Sequence, residues 1–195
     1  LYSEGFVGLP NATHGGYTYG MSNIPTNTKE SEYMETSLIA MPTVRNLQEA
    51  RSQCLEYDAV ITAGPFKDEV RDFKHPIHKV VEFRDTMFES NGGPTFDDVV
   101  ELIEFGVGVP KLLVHCHAGI SRSTATAWGV AIANGVDPLE AFLTLQKQHP
   151  IEKSFYRGAR RTFAPNTLMV KHLDNYFNLG TTLSEIRNNH TEMGW

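Results

Sequence analysis

From residue 37 the apolar positions of the chain become periodic, and the period switches between that of a strand and that of a helix. SLIAM (37–41) is a short apolar run ended by Pro42 and predicts a strand. VRNLQEARSQCLEY (44–57) sets Leu47, Ala50, Cys54 and Leu55 at helical spacing towards the body. DAVIT (58–62) is β-branched and stops at Gly64-Pro65, and HKVVEF (78–83) predicts the next strand. Thr95 precedes FDDVVELIEF as an N-cap, with Asp98 three residues on and Phe96, Val99, Val100 and Ile103 on one helical face. KLLVH (111–115) reads as a buried strand. The next helix runs from about Arg122 to Asn134 and stops at Gly135. DPLEAFLTLQKQ (137–148) opens with Asp137 as cap, Pro138 at the first helical position and Glu140 three after the cap. PNTLMVKHLDNYFNL (165–179) puts Leu168, Met169, His172, Leu173 and Tyr176 on one side of a last helix.

Strands alternate with helices and helices alone then follow. That order predicts an α/β fold, a central mostly parallel sheet of four to five strands flanked by helices on both faces. Residues 1–35 are rich in Gly, Asn, Ser and Thr and show no period. They read as an N-terminal extension with a short strand near Phe6–Leu9, in which Tyr17 and Tyr19 are expected to anchor it to the body, with packing over a site the alternative. Residues 36–180 form the domain and 181–195 a C-terminal tail.

Composition narrows the function. A hydrophobic share of 41% and a charged share of 21% are ordinary for a globular chain. The net charge of −6 supplies no broad positive field, so a stable nucleic-acid partner and an anionic membrane are not expected. No apolar run approaches the ~18 residues of a membrane span, and no signal-peptide pattern opens the sequence at Leu1. Two cysteines make no disulfide framework, so a reducing, cytoplasmic setting is expected. Nothing in the sequence indicates an oligomeric state.

The chemistry concentrates in HCHAGISRS (115–123), between a buried strand and a helix N-terminus. An α/β fold places anion sites there, because backbone N–H groups and the helix dipole converge. Gly119 lets the backbone turn, and the planar fork of Arg122 can grip two phosphate oxygens. Cys116 lies at the floor of this nest. Helix N-termini and nearby cations lower a thiol from about 8.5 to ~3.5–7.5, so a thiolate here is a nucleophile aimed at phosphorus. The hydroxyl of Ser123 can donate to the sulfur when it leaves. A cysteine at a strand end is more often a small core residue, but Gly119, Arg122 and Ser123 at these offsets favour a site. A metal held by His115, Cys116 and His117 is disfavoured, since neighbours on a strand point to opposite faces. A nucleotide loop of the Gly-Lys-Ser/Thr type is absent.

The H-C-x5-R-S pattern resembles the signature of the cysteine-dependent protein tyrosine phosphatase superfamily, and HCHAGISRS is most similar to its dual-specificity branch. ARRTFAPNTLMVKHL resembles the segment after the loop in that branch, with Ala164 where a serine is common. The resemblance spans roughly residues 37–180 and makes 36–180 a dual-specificity phosphatase-like catalytic domain. It implies a two-step reaction through a cysteinyl-phosphate. Cys116 attacks phosphorus, and Arg122 with the loop positions His117, Ala118, Gly119, Ile120 and Ser121 holds the phosphate. His115 supports the loop by hydrogen bonding, and Asn166 braces the loop or the acid-bearing segment, or simply starts a helix. It implies neither a cofactor nor a metal. The low-mobility and rhodanese families fit poorly, because Cys116 lies mid-chain and Arg122 closes a loop of phosphatase length.

Such a reaction needs a general acid for the leaving oxygen, which the resemblance places on a loop well before the cysteine. Asp85 lies just past the HKVVEF strand, 31 positions ahead of Cys116, and is the choice here. Asp97 and Asp98 are explained by helix capping, and Asp72 lies in a charged stretch. Cys54 reads as a core-facing thiol, with a disulfide to Cys116 the alternative. Arg157, Arg160 and Arg161 form a basic cluster that reads as a solvated face or as a receiver of acidic substrate. The loop lacks the lysines common in phosphoinositide phosphatases, which favours phosphorylated protein, on tyrosine and on serine or threonine, as the partner. A phosphoinositide, an RNA 5′-triphosphate and a phosphate-binding module without chemistry are the alternatives.

Overall fold

The computed structural model describes residues 41–64, 67–71, 73–149, 152–154, 158–160 and 163–191. Along the chain run β1 (Thr43–Arg45), α1 (Leu47–Gln53), β2 (Ala59–Ala63), β3 (His78–Val81), α2 (Phe96–Gly106), β4 (Leu112–His115), α3 (Arg122–Ala133), α4 (Pro138–Lys147), β5 (Glu152–Ser154), β6 (Gly158–Arg160), α5 (Thr167–Tyr176) and α6 (Thr182–His190). The first four strands form one parallel sheet in the order β1-β4-β2-β3, as the alternation of strand and helix periods predicts. β5 and β6 pair antiparallel as a separate hairpin that the sequence reading does not contain.

The two-residue period of the strands sorts the core into two layers. Ala59, Ile61 and Ala63 of β2 join Leu112 and Val114 of β4 in a large core with residues of α2, α3, α4 and α5. Val60 and Leu113 face the other way, onto Ala50 and Cys54. The same alternation puts Thr62 and His115 on the side of Val60 and Leu113, directly paired across the sheet. α3 carries most of the packing: its first ten residues, Arg122 to Ala131, are buried. A helix buried on every side must begin in the interior, and so its N-terminus and the loop before it are held there.

Several elements differ from the sequence reading. Among the described residues the first strand lies after Pro42, and of the strand expected over 37–41 residues 37–40 lie outside the described residues. Proline offers no N–H to a ladder, so pairing with β4 begins beyond it. The helix then starts at Leu47 and not at Val44, because Asn46 and Glu49 form a reciprocal capping box. Leu55, expected against the body, is 72% exposed, since the helix tightens into a 3₁₀ turn at Cys54–Glu56 and rotates it outward. In α5, Leu168 is only half-buried, and Val170 and Asp174 are buried instead. The stretch read as a tail contains α6. Asp174, itself buried, caps it by accepting from Leu183 N at 2.7 Å and from Ser184 N and Oγ at 3.1 and 2.7 Å. Tyr17, Tyr19, the strand near Phe6–Leu9, Arg157 and Arg161 lie outside the described residues, and Arg160 is described only as backbone of β6. No helix among the described residues is long and apolar enough to cross a membrane.

Candidate active site

β4 ends at His115, and the chain crosses to α3 through Cys116–Ser121. Flanking segments pull the loop's carbonyls outward. Leu47 N, the first residue of α1, donates to His117 O at 3.1 Å; Ala164 N donates to Ile120 O at 2.9 Å and Asn166 N to Ser121 O at 3.2 Å. The hydroxyl of Thr124 also donates to the carbonyls of Ile120 and Ser121, at 2.7 and 2.8 Å. A planar peptide sets its N–H opposite its carbonyl. The N–H groups of Ala118, Ser121 and Arg122 therefore point away from these segments, to the concave side. Gly119 sits at φ +73°, and a Cβ there would come within 2.9 Å of the backbone at Arg45 and Asn46. Its N–H donates to Cys116 Sγ at 3.2 Å.

Cys116 is 1% exposed, and Ser123 Oγ lies 3.1 Å from its sulfur. Ser121 stands at the N-cap of α3, yet its side chain makes no cap bond. It donates instead to Asp85 Oδ1 at 2.8 Å. The positive end of α3 is thus left to face the loop rather than a serine oxygen.

Arg122 is buried and its guanidinium is docked on two carbonyls, with Nη1 donating to Gly64 O at 2.7 Å and Phe83 O at 3.2 Å. Gly64 makes this approach possible. It has φ +84°, and a Cβ on it would strike Nη1 of Arg122 and come within 2.5 Å of Phe83 O. The Nε of Arg122 lies 3.7 Å from Asp85 Oδ2, an ion-pair contact too long for a hydrogen bond.

Asp85 stands on the segment after β3. Asn166, at the N-cap of α5, accepts from Leu168 N and Met169 N through Oδ1, while its Nδ2 donates to Asp85 Oδ1 at 2.7 Å and to Thr86 O at 3.3 Å. One side chain therefore both caps the helix and holds the segment that bears Asp85. His172 of α5 holds the far end of the segment, donating through Nε2 to Pro94 O at 3.1 Å beside Glu89 at 3.2 Å. Asp98 belongs to the capping box of α2 with Thr95.

The remaining predicted residues fall around this centre. His117 and Ala118 are exposed and Ile120 is half-buried; His117 Nδ1 lies 3.6 Å from Glu69. His115 is fully buried beneath the loop, its Nδ1 3.4 Å from Cys116 O and its Nε2 2.6 Å from Thr62 Oγ1. Burial lowers its pKa from 6.5 to about 4, against the raising effect of the hydrogen bond to Cys116 O and with a smaller lowering from His78 and Arg51 nearby. Cys54 lies in the small core with Val60 and Leu113, its thiol turned to Arg51 O at 3.8 Å. Among the described residues no group of three or more His, Cys, Asp or Glu is arranged to hold a metal ion. The sequence reading missed Gly64 and Phe83 as the seat of Arg122, and Thr62, Phe73 and His78 around His115. A glycine ending a β-branched strand was the one local signal, and it read only as a stop.

No protein-family model matches the chain, and no curated protein matches it. Solved structures do. A human tyrosine phosphatase-like serine/threonine/tyrosine-interacting protein superposes with a TM-score of 0.51 at 19% identity, over 71% of this chain and 92% of that one. The PTP-2 phosphatase of Cydia pomonella gives 0.48 at 19% identity, over 69% and 84%. The Yvh1 phosphatase domain from Chaetomium thermophilum gives 0.47 at 15%, over 74% and 94%. At such identities a superposition speaks of architecture, and the human protein matches across nearly its whole length: this chain has the tyrosine phosphatase-like fold.

Proposed function

We propose that the chain is a cysteine-dependent phosphatase that hydrolyses phosphate monoesters on proteins, at tyrosine and at serine or threonine. The observation that supports this reading is that Asp85 is tied to the loop between Cys116 and Arg122, through Ser121 Oγ at 2.8 Å. Cys116 Sγ lies at the end of β4, the Arg122 guanidinium at the start of α3, and the Asp85 carboxylate after β3, with Asp85 3.7 Å from Arg122.

In the first step Cys116 Sγ attacks phosphorus and the P–O bond to the leaving group breaks. Arg122 and the loop N–H groups hold the equatorial oxygens. Asp85 gives its proton to the leaving oxygen. Its Oδ1 is engaged by Ser121 and Asn166, so Oδ2 carries that proton. In the second step water attacks the cysteinyl-phosphate, Asp85 takes a proton from that water, and Ser123 donates to the departing sulfur, 3.1 Å away. The absence of lysine from the loop supports protein over inositol-lipid substrates.

A second reading, a module that binds phosphorylated partners without chemistry, draws on the name of the human neighbour, phosphatase-like and interacting. One experiment separates the two. Wild type with chelator present turns over an aryl phosphate, acid quench traps phosphorus on Cys116, and Cys116→Ser loses about 10⁴-fold or more. Equal turnover by the serine variant, or no trapped phosphorus, sinks the enzymatic mechanism. A panel of phosphopeptides, phosphoinositides and 5′-triphosphorylated RNA then ranks the substrates.

A further inference from the structure

Beneath the loop, on the sheet face shared with α1, three polar side chains form a line that the reaction scheme does not use. His115 Nε2 lies 2.6 Å from Thr62 Oγ1, and His78 Nε2 lies 2.7 Å from the same oxygen. The parallel register produces the line, since Thr62 pairs with His115 and Val60 with His78. Phe73 stacks flat on the His115 ring at 4.8 Å and 3°, and tilts against His78 at 5.2 Å, so neither ring turns freely.

The protons in this line are determined by elimination. Burial lowers both histidines from 6.5 to about 4, with His75 adding repulsion at His78, so at neutral pH each ring has one proton and one lone pair. His115 Nδ1 faces Cys116 O, which can only accept, so the proton of His115 is on Nδ1. Its Nε2 is then a lone pair, and the Thr62 hydroxyl must donate to it. Thr62 has spent its single proton, so His78 must donate to Thr62 through Nε2.

We propose that Thr62 and His78 are positioning residues whose one-way line of hydrogen bonds, His78 to Thr62 to His115, fixes the peptide between Cys116 and His117. Donation into Nε2 strengthens the Nδ1–H of the same ring as a donor, because bonds in series polarise one another. The carbonyl it grips belongs to the first peptide of the nest, whose N–H points the opposite way. The loop is thus oriented from below by groups that never meet a ligand. The inference takes its functional weight from the phosphatase reading, but its test does not depend on turnover.

The test uses the whole chain with ¹⁵N-labelled histidine and ring-nitrogen NMR at neutral pH. The expected result is a proton on Nδ1 of His115 and on Nε2 of His78; the reverse on either ring overturns the proposal, and this needs no variant. Alkylation of Cys116 by iodoacetamide, read by mass spectrometry, is the second measurement. Thr62→Val lowers its rate about tenfold, the size of one lost hydrogen bond. Thr62→Ser restores it and keeps the His115 Nε2 resonance of a hydrogen-bonded acceptor. His78→Phe, which keeps a ring beside Phe73, lowers the rate by a smaller factor, within about threefold. Wild-type alkylation in Thr62→Val, or failure of serine to restore it, overturns the proposal. If the tautomers and rates come out as expected while Cys116→Ser still turns over substrate, the phosphatase reading fails and this one stands.

Discussion

Cys116 and Asp85 are held in place by opposite means. Cys116 is 1% exposed, on a loop whose carbonyls are tied to α1, to the segment before α5 and to its own helix. The side chain of Asp85 is 38% exposed and rests on side-chain bonds from Ser121 and Asn166, on a segment that also shows Met87 and Phe88 to solvent. Moving the first would disrupt the sheet and the most buried helix. Moving the second breaks a handful of polar contacts, the kind of local opening that costs little. A nucleophile needs a fixed line of attack, whereas a proton donor must meet leaving groups of different size. On the proposed mechanism, the rigid side would set the line of attack and the looser side would set which leaving groups are served.

The largest effect belongs to the rigid side and is the loss in Cys116→Ser given above. Next comes Asp85→Ala, which lowers turnover by ~10²–10⁴-fold and removes one limb of the pH–rate profile. The loss is greatest on alkyl phosphates, whose leaving oxygen most needs a proton, and smaller on an activated aryl phosphate. Steady-state kinetics across a leaving-group series reads this slope. Activity within a few-fold of wild type on alkyl phosphates would show that the exposed side supplies no acid.

The same division explains what could be read from residues alone. The loop and its helix are local: Gly119, Arg122 and Ser123 stand at fixed offsets from Cys116, and apolar periods placed β2, β3, β4, α2, α3, α4 and α5. Asp85 was chosen by the spacing from Cys116 that the resemblance implies. Its partner Asn166 is 81 positions further on, and no local pattern links them. Thr62 and His78 meet His115 only through strand register, which periodicity does not reveal, so His78 read as an ordinary strand residue. α6 was missed because its residues are mostly polar and its cap is Asp174, which lies inside the preceding helix.

Gly64 tests the seat of Arg122 on the rigid side. An alanine there takes on φ +84° and drives its Cβ into Nη1 of Arg122 and towards Phe83 O. The carbonyl cannot yield without moving the backbone at the end of the buried β3–β2 pairing, so the guanidinium is displaced. Unfolding free energy falls by about 2–4 kcal/mol, from the left-handed backbone and the overpacking together. Activity falls mainly through binding of the phosphoryl group, so kcat/KM on an aryl phosphate drops more than kcat. Chemical denaturation and steady-state kinetics check both. A variant with native stability and native kinetics would mean that the carbonyl pair does not hold the arginine.

The pH dependence of stability reads His115 and His78. His115 and His78 are held near 4, against 6.5 for an ordinary histidine, by loss of hydration. In the unfolded chain both regain their ordinary value. Between pH 6.5 and 4 the unfolded state therefore binds protons that the folded state refuses, and stability falls as pH falls through that window. Each histidine contributes a slope of up to about 1.4 kcal/mol per pH unit, with the share of partly exposed His78 reduced by solvent. His149, also lowered by burial, adds with the same sign. Urea unfolding at pH 7.5, 6.5, 5.5 and 4.5 measures the slope, and His78→Phe makes it shallower by removing one titrating group. A slope that His78→Phe leaves unchanged would mean that His78 takes up its proton as easily folded as unfolded. It could then not stand as the neutral donor at the head of the line beneath Cys116.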